Sequence, residues 1–189
     1  FLKNFARQFA GRRLRLIINE FGRAGVDGTL LRELDAALDE ISNGSIFCAC
    51  RLDQFEAALE QAAADAPDVV LVEASGLADP TNVRRVLAQF PAVSYQGSVC
   101  VADAARLEKV FSTARACPRQ LAVSSLVLLN KTDLATEAQC AEAKALILRA
   151  NPAARIRRTQ FGRFEPEWLS LIVPDVDVDE VLDMPDITL

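Results

Sequence analysis

Apolar residues along this chain come in short runs that break abruptly into polar ones, and between the runs they recur at helical spacing. Val69 to Val72 and Leu126 to Leu129 have the length and aliphatic content of strands buried in a sheet, Leu14 to Ile18 and Ser98 to Val101 read as strands, and Ala154 to Arg158 reads as a last strand ending at Thr159. Phe1, Leu2, Phe5 and Phe9 fall on one face of an opening helix that Gly11 ends. Leu30, Leu31, Leu34, Ala37, Leu38 and Ile41 predict a helix from Leu30 to Ile41. Asn43-Gly44 then turns the chain into Ile46 to Arg51. Leu52, Phe55, Ala58, Leu59 and Ala62 predict a second amphipathic helix from Leu52 to Ala64. Val83 to Phe90, a helix closing at Leu121 to Ser124, and Glu137 to Ala150 complete the set. Strand and helix alternate throughout, which predicts an α/β domain with a mostly parallel sheet flanked by helices.

Polar groups that follow a buried strand sit at its carboxyl end, where open parallel sheets bind ligands. Leu126 to Leu129 runs straight into Asn130-Lys131-Thr132-Asp133. A carboxylate at Asp133 can accept two parallel N–H bonds from a guanine edge; adenine lacks those donors and would leave it unpaired. Lys131 can lay its alkyl stem across a base, and Asn130 can brace the loop. The plain alternative is a turn before a helix, with Asp133 or Thr136 as its cap. Val69 to Val72 ends in Glu73-Ala74-Ser75-Gly76 in the same way. A carboxylate there can hold magnesium, and Gly76 lets the backbone N–H approach a terminal phosphate. The alternative for Glu73 is an acid before the Leu77-Ala78-Asp79-Pro80 turn.

About half of the 189 residues are apolar, enough for one well-buried domain over residues 1–173. The net charge of −5 argues against a general nucleic-acid binder. The charge is uneven: residues 1–23 carry Lys3, Arg7, Arg12, Arg13, Arg15 and Arg23 against Glu20 alone, whereas 174–189 holds six acids and no base and reads as a tail or linker. No run has the length of a membrane span and no secretory signal is visible, so the cytoplasm is the expected location. Five cysteines in a reducing compartment read as free thiols or ligands rather than a disulfide framework.

Six ordered blocks, NEFGRAGVDG at 19–28, NGSIFCACR at 43–51, VLVEASGLADP at 70–80, VADA at 101–104, LLNKTDL at 128–134 and NPAARIRRTQFG at 151–162, resemble the CobW-type GTPases in sequence and spacing. These are P-loop proteins related to the nickel-insertion GTPases of hydrogenase and urease maturation. The resemblance implies a P-loop NTPase architecture in which Asn130, Lys131 and Asp133 read guanine, Glu73 acts in catalysis with Gly76 at the magnesium and terminal phosphate, and Thr159 lies near the base. It places Asn19, Glu20, Gly22 and Asp27 in a switch region. It also implies a slow GTPase that uses GTP with magnesium and inserts a metal or metallocofactor, cobalamin among the candidates, into a metalloenzyme or corrinoid-protein client, with a homodimer compatible.

Three departures from the family pattern bear on that reading. The Gly-rich phosphate loop and the first, central strand should precede Phe1, so the intact protein is expected to supply them, and a GTPase activity depends on it. The smaller C-terminal domain of the family is expected beyond residues 174–189, and these 189 residues contain no histidine, so a metal site within them must use thiolate and carboxylate. The Cys-x-Cys-Cys motif that usually follows Asn-Gly falls in register on Ser45, Phe47 and Cys48. Cys50 compensates in part, because i and i+2 of an extended segment point to one side. Cys48 and Cys50, with Glu20 as a third ligand, suit zinc, cobalt or nickel. The alternative is a pair of reduced cysteines on a half-buried strand. Cys100, Cys117 and Cys140 read as packing. No water-positioning Gln stands near Glu73, and Arg23 and Arg51 are candidates for an arginine finger. The altered thiol motif also admits a nucleotide-gated or nucleotide-free scaffold without significant hydrolysis.

Overall fold

The computed structural model describes residues 1–20, 34, 36–42 and 52–174, with Glu20 and Ser42 by their backbone alone. These residues form two compact units, one within 2–94 and one of 95–174 with Phe1. Each unit is built on a three-stranded parallel sheet.

In the unit of residues 2–94, β1 (Leu14–Glu20) lies between β2 (Ala37–Ser42) and β3 (Val69–Glu73). Successive strand side chains alternate between faces, so β1 serves two cores. Leu14, Leu16 and Ile18 pack with Ala6 of α1 (Leu2–Ala6), and Leu2 and Phe9 lie alongside. Ile17 packs on the other face with Phe55 and Leu59 of α2 (Leu52–Asp65) and Val86 of α3 (Val83–Leu87). Between α1 and β1 the chain turns at Gly11, whose φ of +83° is a shape L side chains rarely adopt.

Arg15 shares the Ile17 face and is buried, which demands a counter-charge. Asp39 of β2 accepts from its Nε at 2.6 Å and its Nη2 at 2.8 Å, and Asp65 at the end of α2 accepts from Nη1. The Asp39 hydrogen bond outweighs the cost of burial and, with the charges of both carboxylates, raises the guanidinium's pKa above its ordinary value. Arg15 and Asp65 line a shallow pocket at the amino ends of β1 and β2, together with Arg13, Leu14, Ala37 and Pro67.

In the unit of residues 95–174, β5 (Leu126–Asn130) lies between β4 (Val99–Asp103) and β6 (Arg155–Arg158). Leu126, Val127, Leu128 and Leu129 are fully buried, as the unbroken apolar run predicts. Val127 and Leu129 pack with Phe111 of α4 (Leu107–Thr113), Leu121 of α5 (Ala116–Ala122) and Ile147 of α6 (Glu137–Ala150). Helix α6 has the bounds the sequence predicts and opens on a capping box. Thr136 Oγ1 accepts from the Gln139 N–H while the Gln139 side chain accepts from the Thr136 N–H, so the cap is Thr136 and not Asp133. At its other end the buried Asn151 amide donates to the carbonyls of Leu121, Ala122 and Ser124, tying the ends of α5 and α6 together.

Several expectations change. Ala37 to Ile41, read as the end of a helix, is strand β2 in parallel register with β1. Leu38 joins the α1 core and Ile41 the α2 core, so spacing that suits one helix face here serves two faces of a strand. Pairing with β1 and the Asp39–Arg15 ion pair override local propensity. The helix from Val83 stops at Leu87, and Phe90 and Val93 follow in turns. Val69 to Val72, expected as a buried strand, is among the described residues an edge strand, with Val72 38% exposed. The expected Ile46 to Arg51 segment lies outside the described residues.

Arg15→Leu removes the shared counter-charge of two carboxylates in a buried setting and is expected to cost about 2–4 kcal/mol. Asp65→Asn touches the half-exposed end of the network and is expected to cost under about 1 kcal/mol. Urea unfolding of both variants measures the contrast; equal losses would mean that burial of the guanidinium does not set its worth.

Candidate nucleotide-binding site

The carboxyl end of β5 gathers one set of candidate residues. Asn130 is its last residue and pairs with Asp103 of β4 in register. Its carbonyl accepts from the Ala104 N–H at 2.9 Å, and its side-chain Oδ1 accepts from the Gly162 N–H at 3.1 Å. The brace expected of Asn130 is therefore a hydrogen bond to the loop that follows β6. Lys131 adopts φ +60°, a left-handed shape uncommon for a side-chain-bearing residue. That shape turns the chain, and the Leu134 N–H closes the turn on the Lys131 carbonyl at 3.0 Å.

Lys131 Nζ donates to Asp103 Oδ2 at 2.9 Å, and Asp103 Oδ1 accepts from the Ala105 N–H at 3.0 Å. Burial pushes the Asp103 carboxyl upward, but these two hydrogen bonds and the charges of Lys131 and Arg106 together hold it below the ordinary carboxylate value. Asp103 is a functional candidate that sequence reasoning missed. The signal was present, since it is an acid at a strand's carboxyl end, as Glu73 is.

Thr132 donates through its N–H and its hydroxyl to the Thr159 carbonyl, at 3.3 and 3.1 Å. Thr159 is buried, and its own hydroxyl donates to the Arg163 carbonyl at 2.9 Å, so it shapes the loop after β6. Asp133 lies exposed in the turn between these bonds. Among the described residues no hydrogen bond of the chain engages its carboxylate, which leaves both oxygens available as acceptors.

A second set lies in the unit of residues 2–94. Asn19 and Glu20 end β1, and Glu73 ends β3. The buried Asn19 amide donates to the Ile41 carbonyl at 3.0 Å, bracing the ends of β1 and β2. Glu73 is exposed. Asp79 caps the short turn of helix at Pro80–Asn82 by accepting from the Thr81 N–H and hydroxyl, so the capping role falls to Asp79. Two features between them are unexplained by packing. Ser75 Oγ is buried without a hydrogen-bond partner, a state that is rare in folded proteins. Gly76 has no positive φ, and a Cβ built on it meets nothing within 4 Å, so the described structure does not itself demand glycine there. The exposed Glu73 carboxylate and the orphaned Ser75 hydroxyl are the kind of oxygen groups that would fit a hydrated magnesium ion beside a phosphate.

Gly22, Asp27, Cys48 and Cys50 lie outside the described residues, and Glu20 is placed by its backbone alone. Cys100, Cys117 and Cys140 are free thiols packed in the α/β core of residues 95–174, as expected. Burial pushes the Cys100 thiol up to about 12, with the neighbouring Cys117 adding to the shift, and burial pushes Cys117 up to about 11. Among the described residues no three of His, Cys, Asp and Glu gather as metal ligands, and no helix is long and apolar enough to cross a membrane.

Comparison with known proteins bears on the whole arrangement. Residues 1–158 match the family model for the CobW/HypB/UreG nucleotide-binding domain. The chain is 30% identical over 125 residues to the zinc chaperone YeiR of Escherichia coli, an alignment covering 64% of this chain and 38% of that protein. It is 29% identical over 189 aligned residues to the zinc chaperone CobW of Pseudomonas aeruginosa, covering 81% and 50%. The crystal structure of Zn(II)-bound YjiA GTPase from Escherichia coli superposes with a TM-score of 0.64 at 19% identity, covering 92% of this chain and 56% of that one, a likeness of fold. The chain thus spans half or less of the length of these curated relatives. Its parallel sheets flanked by helices are of the P-loop NTPase type, and with five-sixths of its length matched the chain belongs to the CobW/HypB/UreG nucleotide-binding domain family.

Proposed function

We propose that this chain is the nucleotide-binding part of a metal-delivery GTPase that takes GTP as substrate and a soft divalent ion as cargo. The observation that carries the proposal is the end of β5, where Asn130 and Lys131 are held by the fold and the Asp133 carboxylate is left exposed between them and α6. Asp133 accepts the two N–H groups of the guanine edge. The Lys131 stem lies along the base while Asp103 holds its ammonium, so that little rotamer freedom is lost on binding. Glu73, Ser75 and Gly76 serve the magnesium and terminal phosphate. Magnesium, when bound, neutralises charge between the terminal phosphates. Glu73 orients water at that end, and with no neighbouring Gln to assist, turnover is slow. Asn19, Glu20, Gly22 and Asp27 belong to a segment ordered with nucleotide and released on hydrolysis.

Zinc is the cargo named for the relatives, and it stands ahead of cobalt and nickel for this chain. Cys48 and Cys50, with Glu20, are its proposed ligands, and a metalloenzyme is the client. Two thiolates and one carboxylate leave a fourth position open, which suits an ion that must be handed on.

Isothermal titration of the full-length protein containing this chain tests the base reading. Asp133→Asn is expected to weaken GTP by roughly 10- to 100-fold, and to gain xanthosine triphosphate, whose 2-oxo group accepts from an Asn amide. An unchanged preference for GTP over ATP would overturn the assignment. In the same protein, Cys48→Ser/Cys50→Ser is expected to lower zinc affinity at least about tenfold with GTP affinity retained; zinc affinity untouched by the pair would move the cargo elsewhere.

The Asp103–Lys131 pair carries a pH signature. A carboxyl whose folded pKa is lowered stabilises the fold fully above its unfolded value of about 4, and that stability is lost as pH falls through the folded value. The stability difference between wild type and Asp103→Asn should therefore be constant above about pH 5 and shrink as pH falls below the unfolded value of about 4. Urea unfolding across that range checks it, and a difference independent of pH would exclude the ionised pair as its source.

A further inference from the structure

Residues Gln160 to Arg163 form a tight turn, closed by the Arg163 N–H on the Gln160 carbonyl at 3.0 Å. Both central residues have positive φ, Phe161 at +54° and Gly162 at +64°. That pair of angles marks a type I′ turn, whose first central position ordinarily holds Asn, Asp or Gly. Gly162 suits its place, and a Cβ there would also stand 2.8 Å from the Phe1 nitrogen. Phe161 does not suit its own. A bulky residue in the left-handed region is a strained outlier. Burial does not explain it either, because Phe161 is 75% exposed, the most exposed of the large hydrophobic residues described.

Where the strain sits is informative. The Gly162 N–H is bonded to Asn130 Oδ1, and two residues before Phe161 the Thr159 carbonyl accepts from Thr132. The turn is therefore fastened on both sides of Phe161 to the Asn130–Asp133 segment, within one unit of the protein. An aromatic ring held in a costly backbone shape, exposed, and fixed beside a loop that reads a planar base matches the requirements of a stacking platform.

We infer that Phe161 stacks on the purine ring of the nucleotide whose edge Asp133 reads. This inference rests on the guanine reading above and adds a second kind of contact to it. Asp133 distinguishes bases by their hydrogen-bonding edge, whereas a phenyl ring accepts any purine face. The two contacts therefore separate experimentally. Phe161→Ala should weaken GTP and inosine triphosphate by the same factor, roughly 5- to 100-fold, leaving their ratio at the wild-type value. Asp133→Asn should instead collapse that ratio, because inosine lacks the 2-amino group. Phe161→Trp should hold GTP within about threefold of wild type, since it keeps an aromatic face. Phe161→Gly should weaken GTP as Ala does while raising the thermal midpoint of the nucleotide-free protein, because glycine relieves the left-handed residue. That opposite movement of stability and affinity would not arise from a merely structural role.

The measurements are isothermal titrations of the full-length protein with magnesium present, and thermal unfolding without nucleotide. If wild type binds GTP and Phe161→Ala binds it within twofold of wild type, the stacking inference fails and the guanine reading stands. If wild type binds no guanine nucleotide, the reading of the site fails and the inference with it. A loss on Phe161→Ala that Phe161→Trp does not restore also overturns stacking.

Discussion

A strand clamped on both edges by parallel neighbours and buried on both faces can carry no unpaired polar side chain until it leaves the sheet. In β5 that constraint holds from Leu126 to Leu129, and Asn130 is the first residue at which it lifts. The consequences follow in order. Because β4 and β6 run parallel to β5, their own polar ends, Asp103 and Thr159, emerge at the same end. Lys131 and Thr132 then find partners across both edges, one on Asp103 and the other on Thr159. The polar end of this unit is thus a product of strand direction as much as of residue choice.

The backbone is least relaxed at that same end. Positive φ angles occur at Gly11, Ala66, Gly97, Lys131, Phe161 and Gly162 among the described residues, and the last three all lie in the two loops that leave β5 and β6. Strained shapes persist only where surrounding bonds over-determine them. Here the hydrogen bonds from Gly162 to Asn130 and from Thr132 to Thr159 provide that determination. The loops are held in shape by each other before any ligand arrives, which is the condition for selective binding with little ordering cost.

How much of this could be read from residues alone varies with the type of signal. Strand β5 and the polar segment after it were legible because an unbroken apolar run breaks there abruptly. Helix α6 was legible in its bounds, while the choice of Thr136 over Asp133 as its cap rests on the Gln139 contacts of the folded chain. Residues Ala37 to Ile41 were misread because apolar positions spaced three and four apart also alternate onto two strand faces, and only the pairing with β1 decides between them. Burial of β3 was overestimated because a valine-rich run reports what a strand can bury, not which neighbours it has. Asp103 was legible as an acid at a strand end, but its ion pair with Lys131 and the strained turn at Phe161 were not, because an ion pair and a φ angle are properties of the folded chain. The basic cluster of residues 1–23 also changes meaning. Arg13 pairs with Asp68, and Arg15 with Asp39 and Asp65, so part of its charge is spent inside its own unit.

The elevated thiol pKa values of Cys100 and Cys117 have a bearing on cargo. A soft metal binds thiolate, and a cysteine that keeps its proton at neutral pH must give it up and leave a packed core before it can compete. In a protein proposed to carry zinc on other thiolates, those core cysteines are silent. Sulfur is then reserved for packing in this unit, with burial keeping its proton in place. Loosening the core around α5 would undo that burial and create a metal trap, so misfolded copies of such a carrier would withhold zinc instead of delivering it.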